Sequence, residues 1–255
     1  MEKREAGRGK RWDGVLRVGG VVLLTTLVSV CSKTPDRSRV DTSAAARPPS
    51  ESSPAPGSSR APGRDPARKT ILFAGTSLTA GLGLDPDSAY PMLIQYRIDS
   101  SGLPFEVVNA GVSGETSSGL LDRLDWLLRG TFSVIVIETG ANDGLRGIPA
   151  STVKANLETA VDRIRAKRPD AHIVLVQMEA LPNLGAAYAS AFHAAYPAVA
   201  REKSVTLLPF LLTDVAGKRE LNQGDGVHPN NRGERIVAEN VWRGLRPVFD
   251  SLASR

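Results

Sequence analysis

The chain has 255 residues, enough for one ordinary domain with a tail or for two small domains. Its hydrophobic fraction of 41% supports a packed core and excludes wholesale disorder. The net charge is +5, but residues 1–69 hold 14 Lys and Arg against 7 Asp and Glu, which leaves 18 basic and 20 acidic residues for 70–255. A nucleic-acid-binding domain carries its basic residues on the folded part, so this distribution argues against that class.

The N-terminal segment is typical of an export signal. Residues 1–17 contain six basic side chains, and residues 18–30 are apolar or small and carry no charge. This uncharged run is shorter than the roughly 20 residues of a membrane span and suits the core of a signal peptide better than a buried helix. Cys31, the single cysteine, follows directly, although Val30 stands where lipoprotein signals have a small residue. A lipidated Cys31, a conventionally cleaved signal and an uncleaved anchor remain alternatives, and all predict the periplasm or cell envelope.

Residues 32–69 form a second N-terminal segment with a different composition. They are rich in Ser, Pro, Ala and Arg and contain almost no large apolar residue. Such a segment cannot bury enough surface to offset its ordering entropy. We therefore predict a flexible linker, followed by one folded domain over residues 70–255.

The folded part alternates short apolar runs with segments of helical spacing. The runs are rich in Val, Ile and Leu at consecutive positions, as expected for strands of a parallel sheet buried on both faces. They cover residues 70–75, 105–111, 132–140, 171–178 and 205–210, and helical spacing occurs over 116–130, 149–169 and 230–249. This alternation predicts a three-layer α/β/α sandwich with a five-stranded, mainly parallel, doubly wound sheet of the flavodoxin-like type.

Ligand sites in doubly wound sheets lie at the C-terminal ends of the strands, so the residues after each run are candidates. Ser77 follows the first run in GTSL, near the start of a helix whose free N–H groups support negative charge. Gly114 follows the second run, where it lets backbone N–H groups approach a ligand. Asn142 follows the third run, and its amide can donate to a developing oxyanion. The structural alternative is a helix cap for Ser77, a flexible loop for Gly114 and a polar turn for Asn142.

The stretch GDGVHP brings an acid close to one of the three histidines of the chain. A histidine base needs an acceptor on the ring nitrogen that faces away from the nucleophile. Asp225 and His228 are three residues apart, so they are neighbours in a turn or helix. We expect no such partner for His172 or His193, which leaves His228 as the candidate base.

Each of these pieces has an ordinary explanation, but together they resemble the SGNH (GDSL) hydrolase superfamily. The matching blocks are GTSL with Ser77, GVSGETS with Gly114, GAND with Asn142, and DGVHP with Asp225 and His228. The segments NDGLRG, LLPF and DGVHPN are similar to the bacterial multifunctional thioesterase–arylesterase–lysophospholipase group.

The resemblance implies a serine esterase that acts on aryl, acyl-thio or lysophospholipid esters through an acyl-enzyme. It implies Ser77 as nucleophile, His228 as base and Asp225 as the acid that orients it. The oxyanion hole would consist of the N–H groups of Ser77 and Gly114 and the amide of Asn142. No metal or other cofactor and no nucleic acid is implied. The expected protein is a monomer that acts on a small or lipid-like ester. It would be attached to the membrane through its N-terminal segment or through a lipid on Cys31.

One residue departs from the motif that names the superfamily. Thr76 stands where Gly-Asp-Ser-Leu has its Asp. The triad acid is Asp225, so this change does not delete the chemistry. It keeps a hydroxyl but removes a negative charge beside Ser77, and we expect activity with an altered rate or pH dependence.

The substrate is less well defined by the sequence. The residues after the fourth run are predicted to line an acyl groove, with packing against a helix as the alternative; they are Leu181, Pro182, Leu184 and Tyr188. A deacetylase of envelope or extracellular polysaccharide and a catalytically inactive binding domain on a membrane tether are the alternative functions.

Overall fold

A computed structural model describes residues 68–254. It contains a single sheet of five strands, all parallel, in the order β2-β1-β3-β4-β5. The strands are β1 Lys69–Gly75, β2 Phe105–Gly111, β3 Val134–Ile137, β4 His172–Gln177 and β5 Thr206–Phe210. The predicted doubly wound fold is therefore confirmed, and the first strand begins at Lys69, within the predicted linker. The predicted export signal and the rest of that linker lie outside the described residues.

The apolar runs form strands because their side chains are buried on both faces of the sheet. All four residues of β3 are fully buried, and four residues of β4 in a row, Ile173–Val176, are buried as well. β3 is shorter than the run 132–140 that predicted it, because the chain leaves the strand direction after Ile137 and turns at Gly140, whose φ is +105°.

Helices cover both faces of the sheet. They are α1 Ser77–Ala80, α2 Tyr90–Ser100, α3 Ser117–Leu127, α4 Ala141–Leu145, α5 Ala150–Lys167, α6 Ala186–Glu202 and α7 Asn231–Ala253. α2 packs against α7 on one face, and α5 packs between α3 and α6 on the other. α3, α5 and α7 were predicted, whereas α2 and α6 were not. α6 has Pro197 in its interior, which weakens its helical pattern, whereas the proline of α2 stands in the first turn, where proline is tolerated.

None of the helices within residues 68–254 is both long enough and apolar enough to cross a membrane.

The exit from β1 is unusually tight. A Cβ atom at Gly75 would lie 2.0 Å from Thr79 Oγ1 and 2.7 Å from Glu138 Oε2, so glycine is required there. β1 and β2 end in register, with Gly75 opposite Gly111. This close packing turns the chain directly from β1 into α1 and brings Ser77 to the C-terminal edge of the sheet.

Candidate active site

Ser77 is the first residue of α1, and the residue before it caps the helix. The side chain of Thr76 accepts a hydrogen bond from the N–H of Leu78 at 3.4 Å. Ser77 is therefore not the cap, which was the structural alternative for it. N–H groups in the first turn of a helix have no intrahelical acceptor, and they favour a negative charge at that position.

The loop before α7 brings the predicted base to this serine. His228 Nε2 lies 2.8 Å from Ser77 Oγ, although the two residues are 151 positions apart. On the other side of the ring, His228 Nδ1 lies 2.7 Å from Asp225 Oδ2. The three side chains therefore form one continuous chain of hydrogen bonds.

Asp225 is held as an anion by its own loop. Its Oδ1 accepts the backbone N–H groups of His228 at 3.0 Å and Val227 at 2.9 Å. These two bonds, followed by the bond to the His228 ring, lower the pKa of Asp225 to about 2. An ionised Asp225 accepts the Nδ1–H of His228 and leaves the Nε2 lone pair facing the hydroxyl of Ser77.

The loop between β2 and α3 carries Gly114, with φ at +78°, a conformation that favours glycine. One N–H of the Asn142 amide donates to the carbonyl of Glu115 at 2.9 Å. The next residue, Asp143, accepts the N–H of Ser117 at 2.8 Å and its hydroxyl at 2.6 Å. Asn142 and Asp143 thus hold this loop against α4. An amide carries two N–H donors, so the Glu115 bond leaves the second one for a ligand.

Glu138, which was not among the predicted site residues, is bonded to the turn Thr76–Thr79 that carries Ser77. Its side chain is buried, with 1% exposure, and it accepts the N–H of Thr76 at 2.8 Å and the hydroxyl of Thr76 at 3.0 Å. Burial raises the pKa of Glu138 to about 7, against the lowering effect of these bonds. The signal in the sequence was a charged residue directly after the wholly apolar strand β3.

An apolar cavity of about 390 Å³ is lined by residues that are adjacent in sequence to Ser77 and His228, while these two residues are not part of its lining. Its lining includes Leu78, Ala141 and Val227, the immediate neighbours of Ser77, Asn142 and His228. Further apolar lining comes from Leu145, Met178, Leu181, Phe210 and Leu212, and Glu179 is a charged residue of the lining. Its position next to the sequence neighbours of Ser77 and His228 makes the cavity a candidate site for the acyl chain of an ester.

The four residues predicted to line an acyl groove have different positions in the structure. Leu181 lines the cavity, whereas Leu184 and Tyr188 are not part of its lining. The hydroxyl of Tyr188 donates to the carbonyl of Ile148 at 2.6 Å, so this side chain fastens α6 to the start of α5. Pro182 begins a 3₁₀ helix, Pro182–Leu184, and its side chain lies outside the described part of the structure.

The expectation that His193 has no acidic partner was wrong. Its Nδ1 lies 2.7 Å from Glu179 Oε1, across 14 positions between the end of β4 and α6. Short sequence spacing cannot reveal such a pair. His172 Nε2 lies 2.9 Å from Thr206 Oγ1 on the neighbouring strand. Over residues 68–254, no group of three or more His, Cys, Asp and Glu side chains is arranged to hold a metal ion.

Comparison with known proteins gives a consistent result. Residues 73–236 match the model of the GDSL-like Lipase/Acylhydrolase family. Esterase TesA of Pseudomonas aeruginosa is 39% identical over 184 residues, which cover 72% of this chain and 90% of that protein. Thioesterase 1/protease 1/lysophospholipase L1 of Escherichia coli is 35% identical over 188 residues, 73% of this chain and 88% of that protein.

The solved structure of TesA has a TM-score of 0.68 and 39% identity to this chain, covering 71% of it and 99% of the TesA chain. The region matched by the family model contains strands β2 to β5, the end of β1, and the side chains of Ser77, Asp225 and His228. The protein belongs to the GDSL-like lipase/acylhydrolase family and is an ester-hydrolysing enzyme of the serine esterase type.

Proposed function

We propose that the enzyme hydrolyses carboxylic esters or thioesters with an apolar acyl chain, through an acyl-enzyme on Ser77. The observation that carries the catalytic part is the unbroken chain from Asp225 Oδ2 to His228 Nδ1 at 2.7 Å and from His228 Nε2 to Ser77 Oγ at 2.8 Å. A nucleophile bonded to a base that a third group orients is the arrangement that activates a serine.

In the proposed mechanism His228 takes the proton of Ser77 as Oγ attacks the ester carbonyl. Asp225 keeps the ring in one tautomer and stabilises the imidazolium. The N–H groups of Ser77 and Gly114 and the second amide N–H of Asn142 hold the oxyanion. His228 then protonates the leaving alcohol or thiol, and water attacks the acyl-enzyme by the same route.

The apolar cavity favours an acyl chain well beyond acetyl. Burial of each methylene group contributes about 0.8 kcal/mol, which corresponds to roughly a four-fold gain in kcat/KM per added carbon while the chain still enters the cavity. The names of the relatives, an esterase and a thioesterase/lysophospholipase, support the same substrate class. An optimum at acetyl esters would instead favour a polysaccharide deacetylase.

A tryptophan in the cavity lining tests this assignment. Ala216 is exposed and lines the cavity, so Ala216→Trp fills the acyl space without disturbing the core. We expect kcat/KM for p-nitrophenyl octanoate to fall by about ten-fold or more, because the burial of several methylenes is lost, while the acetate ester is unaffected. The control is Leu184→Trp, an exposed position outside the lining. Equal losses for both esters would contradict the proposed acyl site.

The Thr76→Asp variant restores the acid of the family motif and gives a second test. It places a carboxylate against Glu138, whose pKa is already raised to about 7. Two carboxylates in contact share a proton, and the upper pKa of the pair rises further. Below that pKa one proton joins them; above it the two charges repel and disturb the turn that carries Ser77. We expect the ratio of variant to wild-type kcat/KM to fall steadily between pH 6 and pH 9. A ratio that stays constant over this range would contradict the interpretation.

We further propose that the enzyme is exported and acts at the cell envelope, tethered through its N-terminal segment. The support is the uncharged run of residues 18–30, followed by Cys31 and a polar linker. Fractionation of cells that produce the wild type and Cys31→Ala tests the anchor. Release of the variant from the membrane fraction favours a lipid on Cys31, and retention favours an uncleaved anchor.

A further inference from the structure

The turn that carries Ser77 is held from below by one buried carboxylate. Glu138 accepts the N–H and the hydroxyl of Thr76, on one side of Ser77. It also accepts the hydroxyl of Thr79, two residues after Ser77, at 2.8 Å. Thr76 and Thr79, on the two sides of Ser77, are therefore both hydrogen-bonded to Glu138.

The same bonds continue to the helix that follows the base. Tyr90 OH lies 2.8 Å from Thr79 Oγ1, and because Thr79 donates to Glu138, Tyr90 is the donor to Thr79. The backbone N–H of Tyr90 donates to Glu234 Oε2 at 2.8 Å. Glu234 is buried in the first turn of α7, which begins three residues after His228. Buried hydrogen bonds thus connect the turn that carries Ser77 with the helix next to His228.

We propose that Glu138 is a positioning residue for the reaction, an inference that rests on the proposed role of Ser77. Its carboxylate holds the Thr76–Thr79 turn so that Ser77 Oγ faces His228 Nε2 and the Ser77 N–H faces the substrate oxyanion. Thr76 suits this role because its hydroxyl and its N–H both donate to Glu138, whereas a carboxylate at position 76 would supply no hydroxyl donor.

Glu138→Gln is the most direct test. Glutamine keeps the shape, but one acceptor oxygen becomes an NH₂ donor. With its NH₂ at the Oε2 position, glutamine opposes the N–H of Thr76 and the hydroxyl of Thr79. With its NH₂ at the Oε1 position, it reverses the bond with the Thr76 hydroxyl. The bonds that hold the turn are therefore lost or reversed in either orientation. Since misplacement of reacting groups by about 1 Å costs about 100-fold in rate, we expect kcat to fall by at least about ten-fold with KM unchanged.

Thr76→Val and Thr76→Ser form a matched pair that tests the same contact without altering the buried carboxylate. Valine keeps the shape of threonine and removes the hydroxyl, so kcat should fall; serine keeps the hydroxyl, so kcat should stay within about two-fold of wild type. The two changes share the bond between the Thr76 hydroxyl and Glu138, although valine also removes the acceptor of the Leu78 N–H. The double variant should therefore lose less kcat than the product of the two single losses. If Glu138→Gln does not fold, the comparison of Thr76→Val with Thr76→Ser still tests whether the contact with Glu138 positions Ser77.

Glu234→Gln is the control within the same network. Glu234 accepts a single N–H, from Tyr90, and the amide oxygen of glutamine can accept it equally well. Burial, together with the charge of Glu138, raises the pKa of Glu234 to about 8. Its neutral form is therefore favoured in the folded protein, and stability is lost as the pH rises towards 8. The variant should keep the wild-type kcat and lose less thermal stability between pH 6 and pH 9.

The measurements are kcat and KM for p-nitrophenyl butyrate, the rate of inactivation by a fluorophosphonate, and the melting temperature. The inactivation rate reports the reactivity of the serine without deacylation. The proposal predicts that Glu138→Gln and Thr76→Val reduce kcat and the inactivation rate together. It would be overturned if these variants lowered only the melting temperature, or if Glu234→Gln lost as much kcat as Glu138→Gln. If the wild type were not labelled on Ser77, the proposed function itself would fail, independently of the Glu138 variants.

Discussion

Ser77→Ala is expected to reduce kcat for a p-nitrophenyl ester by about 10⁴-fold or more, with little change in KM. The variant keeps the cavity and the oxyanion donors but lacks the oxygen that attacks, and removal of a triad serine costs up to about 10⁶-fold in comparable enzymes. The fold should persist, because alanine fits the space of serine and the side chain loses one hydrogen bond, to His228 Nε2. The measurement is steady-state turnover alongside the melting temperature.

The control for Ser77→Ala is Ser113→Ala. Ser113 is an exposed serine at the same edge of the sheet, in the loop that carries Gly114. It should retain turnover close to wild type. Comparable activity of Ser77→Ala and wild type, in a preparation free of host esterases, would contradict the assignment of the nucleophile.

Asp225→Asn is expected to have the second largest effect, a fall in kcat of about 10² to 10⁴-fold. The asparagine oxygen can still accept the backbone N–H groups that Asp225 Oδ1 accepts from Val227 and His228, so the loop keeps its shape. Its NH₂ group then faces His228 Nδ1 and favours the tautomer with the proton on Nε2, which cannot accept the serine proton. A change of this kind costs about 10⁴-fold in a deeply buried triad. Asp225 is half exposed, with a side-chain exposure of 48%, so water compensates in part and the lower end of the range is included.

The matched control is Asp214→Asn, which alters an exposed carboxylate whose nearest cation is Lys218, 3.8 Å away. It should leave kcat unchanged.

The pH dependence adds a second check. With its pKa at about 2, Asp225 stays ionised throughout the pH range of an activity assay, so the ratio of Asp225→Asn to wild-type kcat should not change between pH 5 and pH 8 through titration of Asp225. A kcat for Asp225→Asn within two-fold of wild type would contradict the role given to the acid.

The parts of the site that the sequence predicted are those that local pattern determines. Asp225 and His228 are three residues apart, so their contact needs no knowledge of the tertiary fold. Ser77, Gly114 and Asn142 each follow a buried strand, and parallel strands bring their C-terminal ends to one edge. The same logic predicted the five-stranded sheet, because continuous apolar runs are typical of strands with both faces covered.

The parts that the sequence could not predict depend on contacts between distant segments. Glu138 joins β3 to the turn after β1, and His193 reaches Glu179 from α6. Tyr188 was placed in the acyl groove from its position in the chain, but α6 turns its hydroxyl to the carbonyl of Ile148. Which side of a helix faces a cavity is decided by packing against the sheet, and no short motif encodes it.

The central claim is that Ser77 forms the covalent intermediate, and mass spectrometry after reaction with a fluorophosphonate tests it most directly. Wild-type protein is digested after inactivation, and the modified peptide is sequenced alongside that of Ser77→Ala. A stoichiometric adduct on Ser77, absent from the variant and much slower to form in Asp225→Asn, is the predicted result. Inactivation with an adduct on another residue, or an unmodified Ser77 in fully inactivated enzyme, would contradict the account.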